Sequence, residues 1–194
     1  MKKRTIIYLI SPLWLCLVGF GMLQLWNYAN TPGKSGLAPS SWPESSHLSL
    51  SKLVPTMVIF AHPHCPCSQA TAGELNEILA KVHRKLTVYV LFVSPKNPKE
   101  DWTETKLWSD TKAIPGVQTL LDEGGIEAKR FGAKSSGQVN LYDVFGRLVF
   151  SGGITSARGH YGDNLGKSAV ISFVNDKKVT RSTTPVFGCT LYED

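Results

Sequence analysis

Two short apolar runs constrain this chain more than any other feature: Met57-Val-Ile-Phe-Ala61 and Thr87-Val-Tyr-Val-Leu-Phe-Val93. Prolines 55 and 63 bound the first, and Ser94-Pro95 stops the second. Runs this short, apolar and rich in β-branched and aromatic residues read as buried strands. Between them, Leu75, Ile78, Leu79 and Val82 recur at the i, i+3, i+4, i+7 spacing of one helical face. Strand, helix and strand in this order predict a β-α-β unit with its two strands parallel and adjacent.

The pattern continues along the chain. Pro95 to Ile114 reads as a polar helical stretch whose apolar contacts are Trp102, Leu107 and Trp108. Val117–Leu121 reads as a short strand, and Gly125–Phe131 as one or two helical turns. Gln138–Val144 and Arg147–Ser151 flank a turn at Gly146, which predicts a hairpin. Asp163 is placed to cap a last helix carrying Leu165, Ala169, Val170 and Phe173. The order predicts an α/β fold, a mixed sheet flanked by helices on both faces. Thr184–Asp194 has no periodicity.

Ahead of this body, Thr5–Trp26 is a 22-residue run without a charged side chain. A helix of ~20 apolar residues crosses a bilayer core, whereas the apolar region of a cleaved signal is usually ~7–15. We therefore read residues 1–28 as a transmembrane helix that stays attached. Lys2, Lys3 and Arg4 precede it, and only Lys34 follows in the next twenty residues. That bias predicts a cytoplasmic N-terminus and an external domain. Residues 29–47 read as a tether, because Pro, Gly and Ser make up 10 of the 18 residues from Asn30 to His47. The folded domain is then expected over 48–194. The formal charge of +6 falls to +3 once the three N-terminal basic residues are set aside. No basic stripe interleaved with aromatics remains, so no nucleic-acid partner is expected.

His62-Pro-His-Cys-Pro-Cys-Ser68 lies at the junction of the first strand and its helix. Pro66 suits the first helical position and makes Cys65 the N-cap. A thiol there feels the positive end of the helix dipole and free N–H groups, so its thiolate is favoured. His62 and His64 are expected to add to this when protonated. Cys65 and Cys67 are two residues apart, which on one helix projects them ~160° from each other. A bond between them would be strained. Cys16 falls in the anchor, which leaves Cys189 in the aperiodic tail as the third cysteine of the external domain.

The element order and this junction resemble the thioredoxin fold. Phe60 ends the strand, and four residues separate it from Cys65, as in that family. The resemblance spans roughly Leu53 to Phe173. The segments His62 to Cys67 and Thr184-Pro-Val-Phe-Gly-Cys189 are similar to those of the membrane-anchored bacterial RedB-like group. The resemblance implies a single-pass protein of the bacterial inner membrane with its domain in the periplasm. It implies a thiol–disulfide oxidoreductase, in which Cys65 is the nucleophile and Cys67 or Cys189 resolves the mixed disulfide. Its partners would be a protein thiol or disulfide and a second redox protein, with no cofactor. Two features depart from thioredoxins: a single residue separates Cys65 from Cys67, and Ser136-Gly137 stands where their cis-proline is expected.

Other readings compete. His62, His64, Cys65 and Cys67 are a donor set for a soft metal such as Cu(I). A non-catalytic binding module on the same scaffold is a third possibility, since fold does not fix function. Gly162-Asp-Asn-Leu-Gly-Lys-Ser168 falls one residue short of a phosphate loop, and a capped helix start explains it as well.

Overall fold

Every residue of β1 (Thr56–Ala61) is buried, because the strand has neighbours on both sides and cover on both faces. The computed structural model describes residues 2–82, 85–96 and 102–192. β1 pairs parallel with β2 (Thr87–Ser94), which pairs parallel with β3 (Val117–Glu123). On its other side β1 pairs antiparallel with β4 (Gln138–Tyr142), which forms the hairpin with β5 (Leu148–Gly153). The sheet order is β3-β2-β1-β4-β5. This is the mixed sheet expected from the β-α-β unit and hairpin.

Alternation along β1 divides the core. Met57, Ile59 and Ala61 face Leu75, Ile78 and Val82 of α2 (Pro66–Val82) and Val170 and Phe173 of α5 (Leu165–Asp176). A fully buried side chain of this size contributes ~1.5–3 kcal/mol before the cost of ordering it. Val58 and Phe60 face the other way, towards Phe131 and Ala128 of the segment around α4 (Ile126–Arg130). Helix α3 (Lys106–Lys112) is shorter than the polar stretch that announced it. Part of that stretch, residues 97–101, lies outside the described residues. The N-cap of α5 is Asn164 rather than Asp163: the Asn164 side chain accepts from the Lys167 N–H at 2.8 Å.

The N-terminal helix α1 (Lys2–Asn30) forms a unit of its own, Met1–Thr31. Its Ile10–Asn30 stretch is the one helix among the described residues long and apolar enough to cross a membrane. Cys16 is exposed on it.

The second unit begins at Pro32, not near Leu48. The segment read as a tether is laid on the sheet face that carries Phe60. Gly33 N–H donates to the Val186 carbonyl at 2.8 Å, and Leu148 N–H donates to the Ser40 carbonyl at 2.8 Å. Trp42 packs edge-on against Phe131 and Tyr142, with ring centroids 5.0 and 5.3 Å away. At its end Ser46 donates to Glu127 at 2.6 Å. A Pro/Gly/Ser segment cannot build a core, but it can cover one when the partner supplies the apolar surface.

Candidate active site

Cys65 precedes the first turn of α2 and acts as its cap: its carbonyl accepts from the Ser68 N–H at 3.0 Å and the Gln69 N–H at 3.4 Å. Ser68 in turn accepts from the His62 N–H at 3.0 Å, which closes the loop between β1 and α2. Cys65 is buried and borders a cleft; Cys67 is buried in the first turn. Because Cys65 lies outside the helix, the ~160° separation of successive odd positions does not apply. The Cys67 thiol is near enough to Cys65 to act on its ionisation.

Two groups from distant parts of the chain complete the surroundings of Cys65. The Ser136 hydroxyl donates to its sulfur at 3.2 Å. The Cys189 sulfur lies 3.1 Å from it. The tail that carries Cys189 is fixed by backbone pairing. Ser136 N–H donates to the Cys189 carbonyl at 2.8 Å, and Leu191 N–H donates to the Lys134 carbonyl at 3.0 Å. Cys189 N–H donates to the Ser136 hydroxyl at 3.2 Å. That bond engages the oxygen of Ser136 and leaves its proton for Cys65. Upstream, Thr184 donates to the Gly153 carbonyl at 2.7 Å and Arg158 donates to the Gly188 carbonyl at 2.8 Å. Gly188 passes so close to Ser136 that a β-carbon there would run into the Ser136 carbonyl oxygen.

These contacts decide which sulfur ionises. Hydrogen bonds from Cys67, Ser136 and Cys189 favour the Cys65 thiolate against burial, and hold its pKa far below the ordinary thiol range. The Cys67 thiol is pushed up, first by the hydrogen bond it gives to Cys65 and then by burial. Burial and the same neighbour raise Cys189 to about 11. One sulfur is thus negative and two are protonated donors.

The histidines do less than their position promised. Burial lowers the pKa of His62, and the attraction of Cys65 only partly offsets it. A neutral His62 adds no positive charge to Cys65 at neutral pH. Its ring and that of His64 pack on Trp102, with centroids 5.1 and 5.7 Å away. Among the described residues no group of three or more His, Cys, Asp or Glu side chains is placed to hold a metal ion.

Ser136 and Arg158 escaped the sequence reading as partners of the site. The position of Ser136 was marked as the counterpart of a family proline, but nothing in its surroundings announced a hydroxyl aimed at Cys65. Lys167, from the near phosphate loop, is elsewhere: it is buried between α2 and α5, 2.8 Å from both Glu74 and Glu77. It serves packing rather than a nucleotide.

A central parallel pair, an antiparallel hairpin, and a cysteine-capped helix leaving the middle strand are now all in place. The fold is thioredoxin-like. The chain is similar to several solved structures. An uncharacterised conserved protein from Geobacillus kaustophilus superposes with a TM-score of 0.61 at 16% identity, over 85% of this chain and 93% of its own. A hypothetical protein from Sinorhizobium meliloti 1021 gives 0.57 at 22%, over 83% and 93%. The thioredoxin domain of a thiol-disulfide oxidoreductase from Bacteroides vulgatus gives 0.45 at 20%, over 75% and 99%. No protein-family model and no curated protein matches the chain. The thioredoxin-like domain differs from a plain β-α-β-hairpin unit in the tail that returns to its cysteine.

Proposed function

We propose that this protein is a membrane-anchored, extracytoplasmic thiol–disulfide oxidoreductase in which Cys65 attacks and Cys189 resolves. The observation that carries this reading is the 3.1 Å approach of the Cys65 and Cys189 sulfurs across a separation of 124 positions in the chain. The Cys65 thiolate attacks one sulfur of a substrate disulfide. A bond forms between that sulfur and Cys65, the substrate S–S bond breaks, and the departing thiolate takes a proton from water. Cys189 then gives its proton to water and attacks Cys65. The Cys65–Cys189 bond forms and the second substrate thiol leaves. The substrate gains two electrons, and a dithiol redox partner returns two to the domain.

Cys67 remains a hydrogen-bond donor in this scheme. The proximity of its thiol to Cys65 also supports the competing reading, Cu(I) delivery, because paired thiolates are good ligands for soft metals. The His62 to Cys67 and Thr184 to Cys189 segments support kinship with the RedB-like group. The charge bias around α1 supports a periplasmic domain.

The experiment is trapping with the full-length protein in detergent. Cys189→Ser should accumulate a mixed disulfide through Cys65, and Cys67→Ser should not. Accumulation in Cys67→Ser alone would reassign the resolving thiol. Tight anaerobic Cu(I) binding at about one per chain, lost with either Cys65 or Cys67 and without disulfide turnover, would replace exchange by metal delivery.

A further inference from the structure

The tail that brings Cys189 to Cys65 also closes one approach to it. The backbone of residues 134–136 spends its hydrogen bonds on the tail: Ser136 N–H on the Cys189 carbonyl, the Lys134 carbonyl on Leu191 N–H, and Ser135 in an antiparallel bridge with Thr190. An incoming peptide finds no free edge there. The open side of Cys65 lies between the start of α2 and α3. A cleft of about 480 Å³ is bordered by His64, Cys65, Gln69, Glu104, Leu107 and Asp110, and Cys189 is not among its walls.

This cleft does not end at the cysteine. Gln69, Leu107 and Asp110 also wall a second cavity of about 510 Å³, which runs on along α2 to Asn76 and Pro115. From Cys65 to Asn76 the helix advances ~16 Å at ~1.5 Å per residue. An extended peptide covers that length with about five residues at ~3.3 Å each. Among the described lining residues the acidic side chains are Glu77, Glu104 and Asp110 and the one lysine is Lys106. Lys106 pairs with Asp110 and Lys167 of α5 pairs with Glu77, so the excess negative charge of the walls falls on Glu104, beside the Cys65 end.

Resting on the exchange reading above, we infer that the α2–α3 cleft is the substrate channel, and that it takes an extended polypeptide segment with a basic side chain a few residues from its cysteine. The substrate sulfur enters from the cleft and meets Cys65 on the side away from Cys189. The resolving thiol then attacks from the opposite side and expels the substrate back into the cleft. The acidic wall holds the flanking residues while the sulfurs exchange, and favours basic over acidic segments.

The test uses the reduced full-length protein in detergent. Its oxidation is followed by quenching and mass mapping of Cys65 and Cys189. The oxidants are two symmetrical peptide disulfides, one with lysine and one with glutamate around the cysteine, and hydroxyethyl disulfide. The lysine peptide should react roughly tenfold faster than the glutamate peptide at low salt. In Glu104→Gln/Asp110→Asn that ratio should fall towards one. Equal rates for the two peptides, or a ratio that survives in the double variant, would overturn the channel while hydroxyethyl disulfide still oxidises Cys65 and Cys189. If hydroxyethyl disulfide fails to react through Cys65, the exchange reading falls, and the channel with it.

Discussion

The Ser136 hydroxyl donates to the Cys65 sulfur at 3.2 Å, although 71 positions separate the two residues. A hydrogen bond to a charged group is worth ~1.5–3 kcal/mol. Ser136→Ala should therefore raise the Cys65 pKa and cut its ionisation constant by about tenfold or more. Thiolate absorbance against pH, in a background lacking Cys67 and Cys189, measures it directly. An unchanged titration would leave Ser136 as a contact of packing alone.

Gly188→Ala tests whether the path of the tail matters. The new β-carbon collides with the Ser136 carbonyl, so residues 188 and 189 must move away. Misplacing a reacting group by ~1 Å costs as much as ~100-fold in rate. Oxidation of Cys65 with Cys189 should slow by an amount of that order, while Cys65 continues to react with iodoacetamide. Normal closure of the Cys65–Cys189 bond in this variant would show that the tail reaches its place by another route.

A Cys65–Cys189 disulfide would close a loop spanning a separation of 124 residues. In the chain-entropy description such a loop adds ~5 kcal/mol. For a unit of this size that is ~10–20 °C in Tm. A Cys65–Cys67 bond closes almost no loop and should add almost nothing. Thermal unfolding of the oxidised and reduced protein distinguishes the two connectivities without any substrate.

The same comparison has a pH dependence of known sign. In the reduced fold the Cys65 pKa is depressed, so the stability it contributes is fully present above its unfolded value, ~8.5. That contribution drains away as pH falls towards the folded value. Cys67 and Cys189 stay protonated in the fold, and in the unfolded chain they ionise only close to and above ~8.5, so they add little to the slope below pH 8. The oxidised protein lacks the thiolate altogether. Its advantage over the reduced form should widen from pH 8 to pH 5; a gap that narrows on acidification would contradict the assignment of the charge to Cys65.

Lys167 carries the clearest stability prediction away from the site. Its ammonium is buried against Glu74, which is itself fully buried and accepts from the Gly162 N–H. Burial pulls the Lys167 pKa down, but Glu74 and Glu77 outweigh it and hold it above the usual lysine value. Lys167→Met leaves Glu74 unpaired and should cost ~3–5 kcal/mol in urea unfolding. The double change Glu74→Leu/Lys167→Met should recover most of it.

Local pattern told the strands, α2, the hairpin and the helix-capping Cys65, because each is written in a few adjacent residues: the proline-bounded run Met57–Ala61, the spacing of Leu75 to Val82, and Cys65-Pro66. What it could not tell lies in pairing across the chain. Residues 32–47 have the composition of a spacer, and only the surface of Phe131 and Tyr142 gives Trp42 a place against the core. The Lys167 segment has the spelling of a loop motif, and its meaning comes from Glu74 on another helix. Cys189 has no periodic neighbour at all. Its place is set by Ser136 and Gly153, which no window of the sequence brings together.

The route of the tail has a consequence for the chemistry of the bond it would make. Whatever free energy a Cys65–Cys189 bond lends to the fold, the fold must lend to the bond, because the two form one thermodynamic cycle. The folded domain acts as a very high effective concentration of one thiol around the other, and this draws the reduction potential downwards. Stabilisation of the Cys65 thiolate draws it the other way, since it favours the open dithiol. The potential is then the balance of two long-range features, the docking of Thr184 to Leu191 and the hydrogen bonds at Ser136. Each can be altered by a residue that never forms or breaks a covalent bond.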